Sequence, residues 1–185
     1  SKIFHFGSLS LTNEPARSAT KHALSLAKAA GCLITYDPNY RPPLWSNVEE
    51  AVEQMKKPLS LVDILKISKE ELTLLFPGSE GEAVSAILAL GVRLVLVTDG
   101  GNGARLYTKS LRISRPARNV HPVDTTGAGD IFFGTFLSQL LRRSLSLDSL
   151  RKEDAAACLE TAISVSGKST ERPGGIASIP DPSEL

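Results

Sequence analysis

The sequence specifies an α/β fold: an open, mostly parallel sheet with helices on both faces, in three Rossmann-like layers. Short apolar runs rich in β-branched residues alternate with amphipathic stretches of helical period, the pattern of a parallel sheet covered by helices. A hydrophobic content of 42% over 185 residues supplies enough apolar surface for a core. Glycines stand where the helical stretches must stop. Residues 1–185 are read as one α/β domain.

The expected strands are residues 3–6, 33–36, 64–67 and 94–97. Residues 14–30 repeat Ala and Leu at spacings of three and four and stop at Gly31, which predicts a helix. Two further helices are expected over 69–75 and 80–90, separated by the breaker Pro77-Gly78. Residues 104–108 and 111–114 flank a short polar turn and read as a hairpin. Residues 127–143 form a helix with an apolar stripe of Ile131, Phe132, Leu137, Leu140 and Leu141, and Arg142 and Arg143 complement its negative end. The last helix spans 147–165, and the Ser-, Gly- and Pro-rich stretch 167–185 is expected to be loop or extended chain.

Composition excludes several function classes. The 21 Lys+Arg against 20 Asp+Glu leave a net charge of +1, so no global field attracts nucleic acid or an anionic membrane. An anionic ligand must be held locally. The two cysteines, Cys32 and Cys158, have no metal-ligand spacing, which fits buried thiols in a reducing compartment. No apolar run approaches the roughly 20 residues that cross a bilayer, and SKIFHFGSL lacks the regions of a signal peptide, so a cytoplasmic protein is expected.

In VDTTGAGDIFFG, two glycines bracket Ala128 directly before an amphipathic helix, so successive backbone N–H groups can face an anion at the positive helix end. Asp130 falls in the first turn of that helix, where the dipole favours a carboxylate that can accept a proton from a hydroxyl. Acidic first turns and glycines before helices also occur for structural reasons alone. SGKST lacks the glycine of a P-loop, because Ala162 occupies that position, and it follows a helix and not a strand.

DTTGAGDIFFG resembles the C-terminal signature of the ribokinase-like sugar kinases, which include fructokinases. The resemblance implies that Gly127, Ala128 and Gly129 form an anion hole for the transferring phosphoryl group and that Asp130 is the catalytic base. It also implies a monovalent cation, potassium, held by Asp124 and Thr126 with carbonyls from residues 166–175. TDGG, after an expected strand, resembles the family's nucleotide-contacting segment and would assign Thr98, Gly100 and Gly103 to ATP; a tight turn is the alternative. SKEE is similar to the family motif whose acidic residue supports magnesium and phosphate, which implicates Glu71 and Ser68, although the same two residues fit a helix capping box. DPNYRPPLW resembles the corresponding segment of fructokinases and of 2-keto-3-deoxygluconate kinases. Asn39 and Arg41 would then approach the sugar or the phosphates, or Arg41 would simply pair with Asp37.

The resemblance implies a kinase that uses ATP and Mg2+ to phosphorylate a sugar hydroxyl, fructose first and 2-keto-3-deoxygluconate second. A non-catalytic nucleotide-binding or interaction module on the same fold is the rival class. Family members are longer, and their N-terminal half and lid, missing here, contribute most sugar contacts. The isolated chain is therefore expected to be inactive, with a first strand whose exposed edge favours homodimerisation or other self-association.

Overall fold

The computed structural model describes residues 1–181 and 183; the end of the expected 167–185 loop, at positions 182, 184 and 185, lies outside the described residues. The chain forms two compact units, Ser1–Val97 with Tyr107–Ser110, and Thr98–Leu106 with Leu111–Leu185. In the first unit the strands lie side by side in chain order.

In the first unit, β1 (Ile3–Gly7), β2 (Leu33–Asp37), β3 (Ile64–Ser68) and β4 (Leu94–Thr98) each run one residue beyond the sequence expectation. Gly7, Asp37, Ser68 and Thr98 thus become the last strand residues. β1 pairs with β2 and β2 with β3, both in parallel, with Phe6 opposite Tyr36 and Tyr36 opposite Leu65. Four of the five residues in each of β2, β3 and β4 are buried, as expected of parallel strands covered on both faces. The core joins Ile34, Tyr36, Leu65, Ile67, Val95 and Val97 to Leu24, Met55, Leu75 and Ile87 from the surrounding helices.

The helices of this unit are α1 (Ala16–Ala29), α2 (Val48–Lys56), α3 (Lys69–Leu75) and α4 (Glu80–Ala89). The sequence reading assigned no element to α2. Its start was nevertheless written in the chain: the Asn47 side chain accepts from the Glu50 amide at 2.7 Å, and Glu49 and Glu50 lie at the positive end of the dipole. At the amino ends of β2, β3 and β4, the backbone and side chain of Asp63 bind the three strands together. Its amide donates to the Ile34 carbonyl at 2.9 Å, its carboxylate accepts from the Ile34 amide at 2.8 Å, and its carbonyl accepts from the amides of Arg93 and Leu94.

The second unit holds β5 (Ala104–Tyr107, its last residue belonging to the first unit), β6 (Arg112–Arg115), α5 (Ala128–Arg142) and α6 (Lys152–Ser169). The two helices pack together, Phe132, Phe136 and Leu140 being buried on α5 and the smaller Ala155, Cys158 and Ala162 on α6. α6 departs from expectation at both ends. It starts at Lys152 because Leu150 and Arg151 are extended, and residues 147–149 make a separate turn. It continues through Ser169, where a loop was expected from Gly167. Ser169 Oγ donates to the Ser166 carbonyl and Thr170 Oγ1 to the Gly167 carbonyl, both at 2.7 Å, so hydroxyls satisfy carbonyls at the helix end.

Candidate active site

α5 begins at Gly127, whose φ of 76° is left-handed. A Cβ there would also stand 3.3 Å from the Gly175 Cα, so glycine serves both the turn and the close passage of a second backbone. The Ala128 amide donates to the Thr125 carbonyl at 3.1 Å, and the helix proper closes with Ile131 N donating to the Gly127 carbonyl at 2.8 Å. By helix geometry the amides of Gly129 and Asp130 have no acceptor within the helix. Ser166 Oγ of α6 donates to the Ala128 carbonyl at 2.8 Å, which fixes the first turn from the side.

Ala128 and Gly129 line a cavity of about 640 Å³, together with Thr98, Gly100 and Gly103. That volume suits a small-molecule ligand, for which pockets run roughly 300 to 1,000 Å³. Gly103 has a φ of 97°, and a Cβ on it would lie 2.1 Å from the Arg115 carbonyl oxygen and 2.6 Å from the Ala117 nitrogen. No other residue fits that crossing. Gly127 and Asp130 line the neighbouring cavity of about 570 Å³, and Asp130 is exposed to solvent there. The first turn of α5 therefore contributes to both cavities, Ala128 and Gly129 to one and Gly127 and Asp130 to the other.

Asp124 ties the approach to α5 onto the loop after α6. Its Oδ1 accepts from the Thr126 amide at 2.8 Å and its Oδ2 from the Gly174 amide at 2.9 Å, while the Thr170 carbonyl accepts from the amides of Val123 and Asp124. The Gly174 amide, with Thr126, pulls the Asp124 carboxyl down to about 2. A value lowered on folding means that the tether stabilises fully above the ordinary carboxylate pKa of 3.8 and is lost as pH falls through about 2. The Gly174 amide resonance should accordingly titrate with a midpoint near pH 2. In Asp124→Asn it should stay flat over that window, and a titrating signal in the variant would remove Asp124 as the cause.

The first unit carries the other expected residues. Ser68 and Glu71 do form a capping box: Glu71 N donates to Ser68 Oγ and Ser68 N to Glu71 Oε2 at 2.9 Å. The second Glu71 oxygen, Oε1, accepts from the Tyr40 amide at 2.7 Å. Asn39 has a φ of 48°, and the exposed Arg41 donates to the Tyr40 carbonyl at 3.1 Å. The Asp37–Arg41 pair considered as an alternative is not formed; Asp37 is paired instead with Lys66, at 2.9 Å, both side chains being buried. Burial, with the Glu71 and Asp37 carboxylates close by, pushes the Tyr36 phenol well above its usual range and keeps it neutral.

Within the second unit, then, the fold gathers Thr98, Gly100, Gly103, Ala128 and Gly129 around one cavity, and Gly127 and Asp130 beside it. Asp124 and Thr126 lie just ahead of that helix and face the loop at Gly174 and Gly175. Within the first unit, Glu71 joins the loop of Asn39 and Arg41 to Ser68. Sequence reasoning passed over Arg118, Asn119 and Ile163, which also line the larger cavity. One signal was available for the α6 wall. Gly167 inside a helix marks a close approach, and a Cβ there would meet the Arg118 side chain at 3.2 Å. Among the described residues no group of three His, Cys, Asp or Glu could hold a metal ion, and no helix is long and apolar enough to cross a membrane.

The fold has known counterparts. The chain is 40% identical over 185 residues to the protein named Probable fructokinase-5 of Arabidopsis thaliana, and 37% identical over 186 residues to Fructokinase-2 of Solanum lycopersicum. Each alignment takes in 99% of this chain and 56% of the relative, so the chain spans little more than half the length of these proteins. Among solved structures, the fructokinase of Vibrio cholerae O395 with fructose, ADP and calcium bound superposes with a TM-score of 0.88 at 31% identity, over 98% of this chain and 58% of that one. The ATP-bound fructokinase of Xylella fastidiosa gives 0.89 at 31% identity, over 100% and 60%. With residues 1–182 matching the model of the pfkB family carbohydrate kinases, the chain belongs to that family.

Proposed function

We propose that this chain is the ATP-binding part of a sugar kinase that transfers the γ-phosphoryl group of MgATP to a sugar hydroxyl, with fructose as the substrate and fructose 6-phosphate as the product. One observation carries the reading: the start of α5, entered through a left-handed Gly127, lines a cavity with Thr98, Gly100 and Gly103, and Asp130 sits on the same turn. The bound fructose and ADP of the Vibrio cholerae relative support the choice of ligands.

In this reading the α5 amides hold the transferring phosphoryl group, and their positive dipole end stabilises its developing charge. Thr98 with Gly100 and Gly103 receives the remaining phosphates. Asp130 takes the proton of the attacking hydroxyl as that oxygen bonds to phosphorus and the bridging oxygen leaves with ADP. Glu71 and Ser68 would support the magnesium that comes with the nucleotide, whose charge would offset that of the phosphates, and Asn39 and Arg41 would approach the sugar or phosphates. Asp124 and Thr126, with carbonyls from residues 166–175, would supply oxygen ligands to a potassium ion. We place the protein in the cytoplasm, and β1, an edge strand, is the surface through which copies would pair.

The test has two parts. Calorimetric titration of the 185-residue chain with MgATP should show saturable binding, tighter when potassium replaces sodium or lithium at constant ionic strength. A polypeptide of the relatives' full length that carries this segment should release ADP in a fructose-dependent manner, whereas the isolated chain should not. Absence of MgATP binding would sink the reading, and equal affinity in the three salts would remove potassium from it.

A further inference from the structure

The Glu71 carboxylate spends one oxygen on each of two chain segments. Oε2 closes the capping box on Ser68 N at 2.9 Å, as any helix-capping glutamate does. Oε1 reaches out of the helix to the Tyr40 amide at 2.7 Å, thirty-one residues away in sequence. Capping does not require that second bond, so it calls for its own explanation.

The segment it reaches is restrained and holds a left-handed turn. Pro38, Pro42 and Pro43 fix much of its backbone, the Pro38 carbonyl accepts from Ser8 N at 3.0 Å, and Trp45 anchors its far end with 8% exposure. Between these anchors Asn39 sits at a φ of 48°, in the left-handed region that Asn adopts more readily than other residues with a side chain. No other side chain bonds the backbone between Pro38 and Trp45 among the described residues, apart from Arg41 to its own neighbour. A charge-assisted bond to the residue directly after the left-handed one is well placed to hold that conformation.

We infer that Glu71 is a positioning residue: through the Tyr40 amide it holds the left-handed turn at Asn39 and so sets where Asn39 and Arg41 stand. This deepens the proposed kinase function, on which the role of Asn39 and Arg41 as ligand contacts rests. The turn itself does not depend on that function. Magnesium support and loop positioning would both make Glu71 important for activity, so activity alone does not separate them.

Trp45 provides a readout independent of activity, because it is the only tryptophan in the chain and ends the segment concerned. In Glu71→Gln one of the two amides faces an NH2 group instead of an oxygen. Amide exchange at Tyr40 should speed up about tenfold or more, the loss expected for one hydrogen bond to a charged group. Trp45 emission should shift to the red. Glu71→Asp, too short to reach both amides, should do the same, while Ser68→Ala, which breaks only the side-chain half of the capping box, should leave Tyr40 exchange and Trp45 emission as in the unmodified chain. Unchanged Tyr40 exchange and Trp45 emission in both Glu71 variants would overturn the inference. If the unmodified chain binds no MgATP while Glu71→Gln still loosens Tyr40, the kinase reading fails and the positioning role stands.

Discussion

Asp130→Asn, introduced into a polypeptide of the relatives' full length, should lower fructose-dependent ADP release by about 100-fold to 10,000-fold, the usual cost of a lost general base. The substitution keeps the shape of the side chain and its place in the first turn of α5, and removes only the capacity to take a proton. MgATP affinity should change little, since the amides of the helix start and the glycines of the 98–103 segment remain. A turnover within a few-fold of the unmodified enzyme would show that another group accepts the hydroxyl proton. A loss of MgATP binding as large as the loss of rate would instead place Asp130 in nucleotide binding. Measuring kcat and nucleotide Kd on the same preparation distinguishes these outcomes.

The largest expected effect on stability lies at Lys66. Its ammonium group is 2.9 Å from the Asp37 carboxylate, with side-chain exposures of 8% and 5%. The register that sets Tyr36 opposite Leu65 makes the two residues neighbours on adjacent parallel strands. Lys66→Met preserves most of the volume but leaves the Asp37 carboxylate buried without that cation, which should destabilise the first unit by about 3 to 5 kcal/mol. Replacing both, as Lys66→Met with Asp37→Leu, should recover part of that loss, because an apolar pair of similar volume avoids the desolvation of two charges. Urea unfolding followed by Trp45 fluorescence reports this unit directly. A shift below about 1 kcal/mol in Lys66→Met would mean that water reaches the pair and screens it.

Much of this architecture is local and therefore readable in one dimension. Each β-branched run became a strand, and α3 begins at the Ser68–Glu71 capping box. α2 was equally legible, from Asn47 followed three residues later by Glu50, and was missed because the proline-rich stretch before it reads as loop. The strand ends were extended by one residue for a reason no window contains. A residue such as Asp37 joins β2 because β1 supplies Gly7 beside it.

The sequence by itself determined the strands, the caps and the glycine-marked start of α5, because periodicity, capping and left-handed turns are decided by residues within a few positions of one another. Only the tertiary structure decided which of these local features meet. Lys66 with Asp37 spans 29 positions, Glu71 with Tyr40 spans 31, and Ser166 with Ala128 spans 38. Spacing in the chain carries no trace of such pairs, since each is fixed by strand register and helix packing and not by the local backbone. The cavity at Ala128 and Gly129 is the same case: Thr98, Gly100 and Gly103 come to it from a separate strand end, and Gly103 can pass under the Arg115 backbone only because it has no Cβ.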